Sequence, residues 1–240
     1  MRTCLTLVLS LGIIISFAQN GILKESLKVK SNLLGKDVAY CVYLPHDYET
    51  NSRRYPVLYL LHGYTDDETG WVQFGEAPYI ADKAIASGEA TPMIIIMPDA
   101  GVSWYINSHD GKVKFEDFLV KELIQHVDAT YRTRPTKEFR AVAGLSMGGH
   151  GSFLMATRHP DMFVACAPLS GAFWTEAEVA KTPDDAWDKY FGDIYGKGLK
   201  GTERMTPHLK SYSGIEIVKS GNAEELKKSN TTSIAATMTF

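Results

Sequence analysis

The chain has 240 residues, of which 45% are hydrophobic and 22% charged, and its formal net charge is −3. That length and apolar content favour a single sizeable core over two domains. The charges are scattered: Lys197, Lys200 and the Lys227–Lys228 pair are too sparse for a basic patch, which excludes a nucleic-acid partner.

Residues 1–18 read as a signal peptide. Arg2 supplies the positive start, residues 5–17 form an apolar stretch, and Ser16 and Ala18 place small side chains at a cleavage site. The stretch is too short for a membrane span, and nothing later approaches one. The expectation is export to a periplasm or beyond, no membrane association once the leader is removed, and a single domain over 19–240. Cys41 and Cys166 then remain, both inside apolar runs, where free buried thiols are expected rather than a bridge.

Residues 38–44 predict a strand stopped by Pro45, and a polar loop follows over 46–52. Continuous apolar runs over 57–61 and 93–97 predict strands buried on both faces of a largely parallel sheet. Phe115, Phe118, Leu119, Leu123, Ile124 and Val127 recur at helical spacing, with Glu116, Asp117, Lys121 and Glu122 on the other side. Residues 141–144 predict a strand, 148–159 a helix ending at Pro160, and 163–169 the next strand. This order of strand, helix and strand predicts a three-layer α/β fold with right-handed crossovers.

Gly144-Leu145-Ser146-Met147-Gly148 is a G-x-S-x-G motif set between an apolar strand and a helix. Such a turn strains the serine backbone and exposes its hydroxyl, while Gly144 and Gly148 let neighbouring chain approach. Ser146 is therefore the expected nucleophile, at a helix start that favours developing negative charge. Acyl transfer also needs donors for a tetrahedral oxyanion. The Met147 N–H is one by position, and the Tyr64 N–H is the expected second, with Gly63 permitting the turn. His62 is expected to pack beneath that loop rather than act as a base. No Cys/His cluster has ligand spacing, so no metal is expected.

Leu61-His62-Gly63, Met97-Pro98-Asp99, Ser103-Trp104-Tyr105 and Gly144-Leu145-Ser146-Met147-Gly148-Gly149 occur in that order. Residues 25–228 thereby resemble the esterase D-like family, which includes feruloyl and acetyl-xylan esterases. The resemblance implies a cofactor-free α/β-hydrolase that cleaves carboxylic esters through an acyl-enzyme, often on plant polysaccharides. Its partner would be a small-molecule or oligosaccharide ester. Trp71, Asp99, Trp104 and Tyr105 would lie around the acyl or sugar pocket, since loop aromatics suit flat ligands. An acyltransferase on the same scaffold and a carbohydrate-binding remnant without catalysis are the competing readings.

The family triad continues from Ser to Asp to His, and here the pattern breaks. Asp161, Asp184, Asp185, Asp188 and Asp193 fall in helix starts or polar loops. His150 and His159 belong to the helix behind the serine, and His208 reads as part of a surface helix. The chain is thus expected to lack a triad acid and base. Residues 229–240 show no strand alternation and no likeness to the family. Read one frame over, their possible codons spell Tyr-Tyr-Ile-Asp-Cys-Gly-Asp-Asp-Asp-Phe, which resembles the family's strand and acid-bearing loop. The expectation is a frameshift near Lys228, in the gene or the assembled sequence, leaving a C-terminally truncated fold that is inactive and poorly soluble.

Overall fold

A computed structural model describes residues 20–221. The leader expected at 1–18 and the out-of-frame tail expected at 229–240 lie outside the described residues.

The chain opens with a hairpin. β1 (Ile22–Ser31) and β2 (Lys36–Leu44) pair antiparallel around a turn where Gly35 has φ 65°. β1 escaped the sequence reading because its lysines interrupt the apolar pattern. Those lysines suit its place at the sheet edge, where charge discourages pairing with another chain. β3 (Val57–Leu61), β4 (Ile94–Pro98), β5 (Arg140–Leu145) and β6 (Ala165–Leu169) complete a sheet of order β1-β2-β4-β3-β5-β6. β3, β4, β5 and β6 run parallel, and β2 meets β4 antiparallel. The expected mostly parallel α/β sheet is therefore present.

Alternation along the strands divides the core into two layers. Val42, Leu44, Tyr59, Leu61, Ile94, Ile96 and Val142 face one side. There they pack with α3 (Phe115–Phe118), the π-helical turn Leu119–Leu123, α4 (Ile124–Thr130) and α5 (Met147–Arg158). Cys41, Tyr43, Leu60, Ile95, Met97 and Ala143 face the other, against α1 (Gly70–Gln73) and α2 (Ala77–Ala86). Cys41 and Cys166 are buried and free, on β2 and β6. Among the described helices none is long and apolar enough to cross a membrane.

After β6 comes a helical cap that sequence reading left as polar loops and helix starts. It consists of α6 (Glu176–Lys181), α7 (Asp184–Tyr190), α8 (Gly192–Tyr195), a 3₁₀ turn Gly201–Arg204, α9 (Pro207–Tyr212) and α10 (Gly214–Ser220). Its helices are too short for periodicity to show. They are held instead by side chains reaching between them. Arg204 is wholly buried, donating to the carbonyls of Leu199, Val179 and Thr182 and pairing with Asp184 at 2.5 Å. Its guanidinium also lies over the Trp187 ring.

Candidate active site

The C-terminal ends of the parallel strands carry most of the backbone strain. Of the seven non-glycine residues with positive φ among the described residues, five follow these ends: Thr65 after β3, Trp104 and Tyr105 after β4, Ser146 after β5, and Ser170 after β6. Such conformations persist only where surrounding structure enforces them, and they cluster at functional sites. In open α/β sheets this is also the edge where ligands bind.

Ser146 has φ 55° and ψ −111° and links β5 directly to α5. Main-chain bonds on all sides fix it there. Its N–H donates to the Leu169 carbonyl at 3.0 Å, and its own carbonyl accepts from His150 at 2.9 Å and Ala172 at 3.3 Å. The residue remains partly exposed at the start of a helix whose body is buried. The elbow is compact because side chains are missing. A Cβ on Gly148 would collide with the carbonyls of Leu61 and His62, and one on Gly144 with the Gly148 carbonyl.

The β3 loop lies alongside. A Cβ built on Gly63 would come 3.9 Å from the Ser146 Cβ. Gly63 opens the turn, its carbonyl accepting from the Asp66 N–H at 3.3 Å, but its φ is outside the left-handed region and the nearest prospective contact of a Cβ is an ordinary 3.7 Å. The residue in the left-handed conformation is Thr65, at φ 65°. The absence of a side chain at 63 keeps space open beside the serine instead. Neither the Tyr64 N–H nor the Met147 N–H donates to a main-chain carbonyl in the described turns and loops.

His62 holds this loop from below. It is 1% exposed, its Nδ1–H donates to the Gly63 carbonyl at 2.7 Å, and its Nε2 accepts from the Ala100 N–H at 2.9 Å. Both ring nitrogens are thus occupied by backbone, which ties the β3 loop to the β4 loop and leaves none for proton transfer.

The four residues expected around a substrate pocket take different places. Tyr105 is fully buried, its hydroxyl donating to the His62 carbonyl and its ring set where a Cβ on Gly151 would lie. Trp104 is 5% exposed and donates through Nε1 to the Tyr190 carbonyl at 2.9 Å. Trp71 is half-buried, with Nε1 on the Leu61 carbonyl. These aromatics prop the loops from within, each combining a large apolar body with one polar handle for a carbonyl. Asp99 is partly exposed, and its carboxylate accepts from the Gly101 N–H at 2.7 Å, closing its own turn.

Sequence reading missed the aromatic wall that joins this edge to the cap. Trp104 stacks on Phe191 with centroids 5.2 Å apart and meets Trp174 edge-on at 5.0 Å. Tyr64 packs against both Trp104 and Tyr190. The Phe173-Trp174 pair just after β6 was the available signal.

All seven histidines fall within the described residues, and among these residues no imidazole hydrogen-bonds the Ser146 hydroxyl. His159 caps α5 and reaches Glu116 at 2.8 Å. His208, on α9, packs against Tyr195, Tyr212 and His109. Glu116 is buried, yet hydrogen bonds from His159, Arg158 and Tyr212 outweigh the upward push of burial and hold its pKa at about 2. It therefore serves as a fixed anion joining α3, α5 and α9. Among the described residues no group of His, Cys, Asp or Glu is arranged to hold a metal.

A family model described as “Putative esterase” matches residues 31–192. The chain is 34% identical over 204 residues to an endo-1,4-beta-xylanase/feruloyl esterase of Xylanibacter ruminicola, covering 81% of this chain and 28% of that protein. It is 31% identical over 167 residues to the diacylglycerol acyltransferase/mycolyltransferase Ag85A of Mycobacterium ulcerans, covering 65% of this chain and 45% of that one. Among solved structures, a ferulic acid esterase superposes with a TM-score of 0.72 at 28% identity, covering 88% of this chain and 75% of the other. The chain thus spans less than half the length of either of these two sequence relatives.

Proposed function

Because the chain belongs to the esterase family and has the α/β-hydrolase fold, we propose that it derives from a serine carboxylic-ester hydrolase that works through an acyl-enzyme. Its substrates are acetyl or feruloyl esters of plant polysaccharides. The observation that carries this reading is the strained, partly exposed Ser146 at the sheet's C-terminal edge, beside the β3 loop.

In this reading the Ser146 Oγ attacks the ester carbonyl, and the oxyanion takes hydrogen bonds from the N–H groups of Met147 and Tyr64. The alcohol leaves with a proton, and water then releases the acid and restores the serine. No described imidazole reaches Ser146, so its hydroxyl is a weak nucleophile. These residues would then provide only what the oxyanion donors and binding supply, roughly 10³–10⁴ over water. Export through the 1–18 leader belongs to the same proposal, and N-terminal sequencing of secreted product should start at Gln19.

Intact-mass analysis with an activated aryl ester tests the nucleophile. A slow single acyl adduct is expected on the chain and none on Ser146→Ala. An adduct that survives the substitution overturns the assignment. Titrating methyl ferulate against amide NMR signals tests the substrate class, and the Tyr64 and Met147 amides should move most. The similarity to an acyltransferase favours one second reading, acyl transfer to a sugar hydroxyl. Ester formation outpacing acid release, when an alcohol acceptor is added, would select it.

A further inference from the structure

His150 lies one turn into α5, its own N–H bonded to the Ser146 carbonyl at 2.9 Å. The side chain is 1% exposed and enclosed by Trp104, Phe173 and Trp174. Its Nε2 faces the Tyr212 carbonyl at 3.1 Å, while Nδ1 is buried without a partner among the described residues. The other polar neighbour of the ring is the Trp104 carbonyl.

Both neighbours are therefore acceptors, and a neutral imidazole has only one N–H. Whichever nitrogen carries that proton, the other keeps a lone pair with no protein donor. The imidazolium would suit two carbonyls, but burial outweighs their pull and lowers the pKa to about 4. Near neutral pH the ring is uncharged and one nitrogen lacks a donor.

A partly open space lies beside it. A cavity of about 30 Å³ lies between α5 and the cap, lined by His150, Phe173, Trp174, Trp187 and Tyr212, with Thr182 and Ser213 at its wall. One water needs roughly 10–15 Å³ by this measure and two or more polar partners. The cavity has room for one or two; the Thr182 hydroxyl already donates to the Glu178 carbonyl and the Ser213 hydroxyl accepts from the Glu216 N–H, so the partners are the ring nitrogen and a carbonyl. A water also has two protons, one for the nitrogen and one for a carbonyl.

We propose that this cavity is a hydration site in which an internal water donates to His150 Nδ1 and joins the nucleophile helix to the cap. His150 then presents a donor to α9 and an acceptor to the water, in one tautomer.

The test uses the full chain labelled with ¹⁵N-histidine at pH 7. A long-range ¹⁵N–¹H correlation reads the tautomer and charge of His150, and a water-selective NOE experiment reads contact with its Hε1. A neutral ring protonated at Nε2, with a long-lived water cross-peak, is expected. An imidazolium overturns the proposal, and so does a neutral ring with no water contact. His150→Phe should abolish the bound-water signal from the cavity-lining side chains. His150→Gln, which offers both a donor and an acceptor, should retain it. If neither variant folds, the wild-type spectrum alone decides. None of these readouts depends on turnover, so the outcome is independent of the esterase reading.

Discussion

The nucleophile elbow and the helical cap pack against one another, yet they are built by opposite means. At the elbow, main chain meets main chain: β5, α5 and the loops after β3 and β6 come close because Gly144, Gly148 and Gly149 carry no side chain. In the cap, short helices with little stability of their own are held by large side chains, chiefly the buried Arg204 and Trp187 and the half-buried Phe191. The elbow therefore resists added atoms, and the cap resists removed ones. His150 stands at the boundary, with its backbone in the elbow helix and its ring in the cap's aromatic wall.

The strongest test of this contrast is Arg204→Ala. It leaves the carbonyls of Leu199 and Thr182 without donors, leaves Val179 only the longer bond from the Thr182 N–H, and opens space beneath Trp187. Asp184, more than half exposed, rehydrates and adds little. The expected loss is about 4 kcal/mol in urea denaturation. A loss below about 1 kcal/mol would mean that the cap is held mainly by its helices.

His150 comes next. Its folded pKa of about 4 lies below the ordinary 6.5, so the unfolded chain binds the proton more readily. Stability from this group is complete above pH 6.5 and is lost as pH falls towards 4, by about 3 kcal/mol in all. Much of the fall precedes pH 4.5, above which Glu116, with its pKa at about 2, still contributes in full. His150→Gln should flatten the slope between pH 6.5 and 4.5. An unchanged slope would assign the proton to another group.

Gly148→Ala attacks the elbow from the other direction. Its helical position would gain about 1 kcal/mol from alanine, but the new Cβ meets two carbonyls that cannot rotate away. Overpacking should win, with a net loss of about 2 kcal/mol. A gain in stability would show that the β3–α5 contact is looser than the geometry implies.

The same contrast explains what was legible in the sequence. The buried strands and the elbow were, because continuous aliphatic runs and a glycine-serine-glycine turn each follow from one local constraint. The cap was not. Its helices span seven residues at most, and Arg204, which looks like a surface residue in a polar stretch, is in fact its centre. Trp104 and Tyr105 were misplaced for a related reason. An aromatic in a loop looks the same in sequence whether its ring faces a ligand or supports the loop, and only the carbonyls of Tyr190 and His62 decide the matter.

Gly63 gives the smallest effect on stability and the finest distinction. Were it needed for a left-handed turn, alanine would strain the backbone. Its φ is not left-handed, and the nearest heavy atoms to a new Cβ are the Leu145 carbonyl at 3.7 Å and the Ser146 Cβ at 3.9 Å. Gly63→Ala should therefore change unfolding free energy by no more than about 0.5 kcal/mol. The methyl group would nevertheless narrow the approach to Ser146, so acylation by a bulky aryl ester should slow more than acylation by an acetyl ester. Equal slowing of both would place the new methyl group away from the acyl path, and a large loss of stability would show that the turn requires glycine at 63.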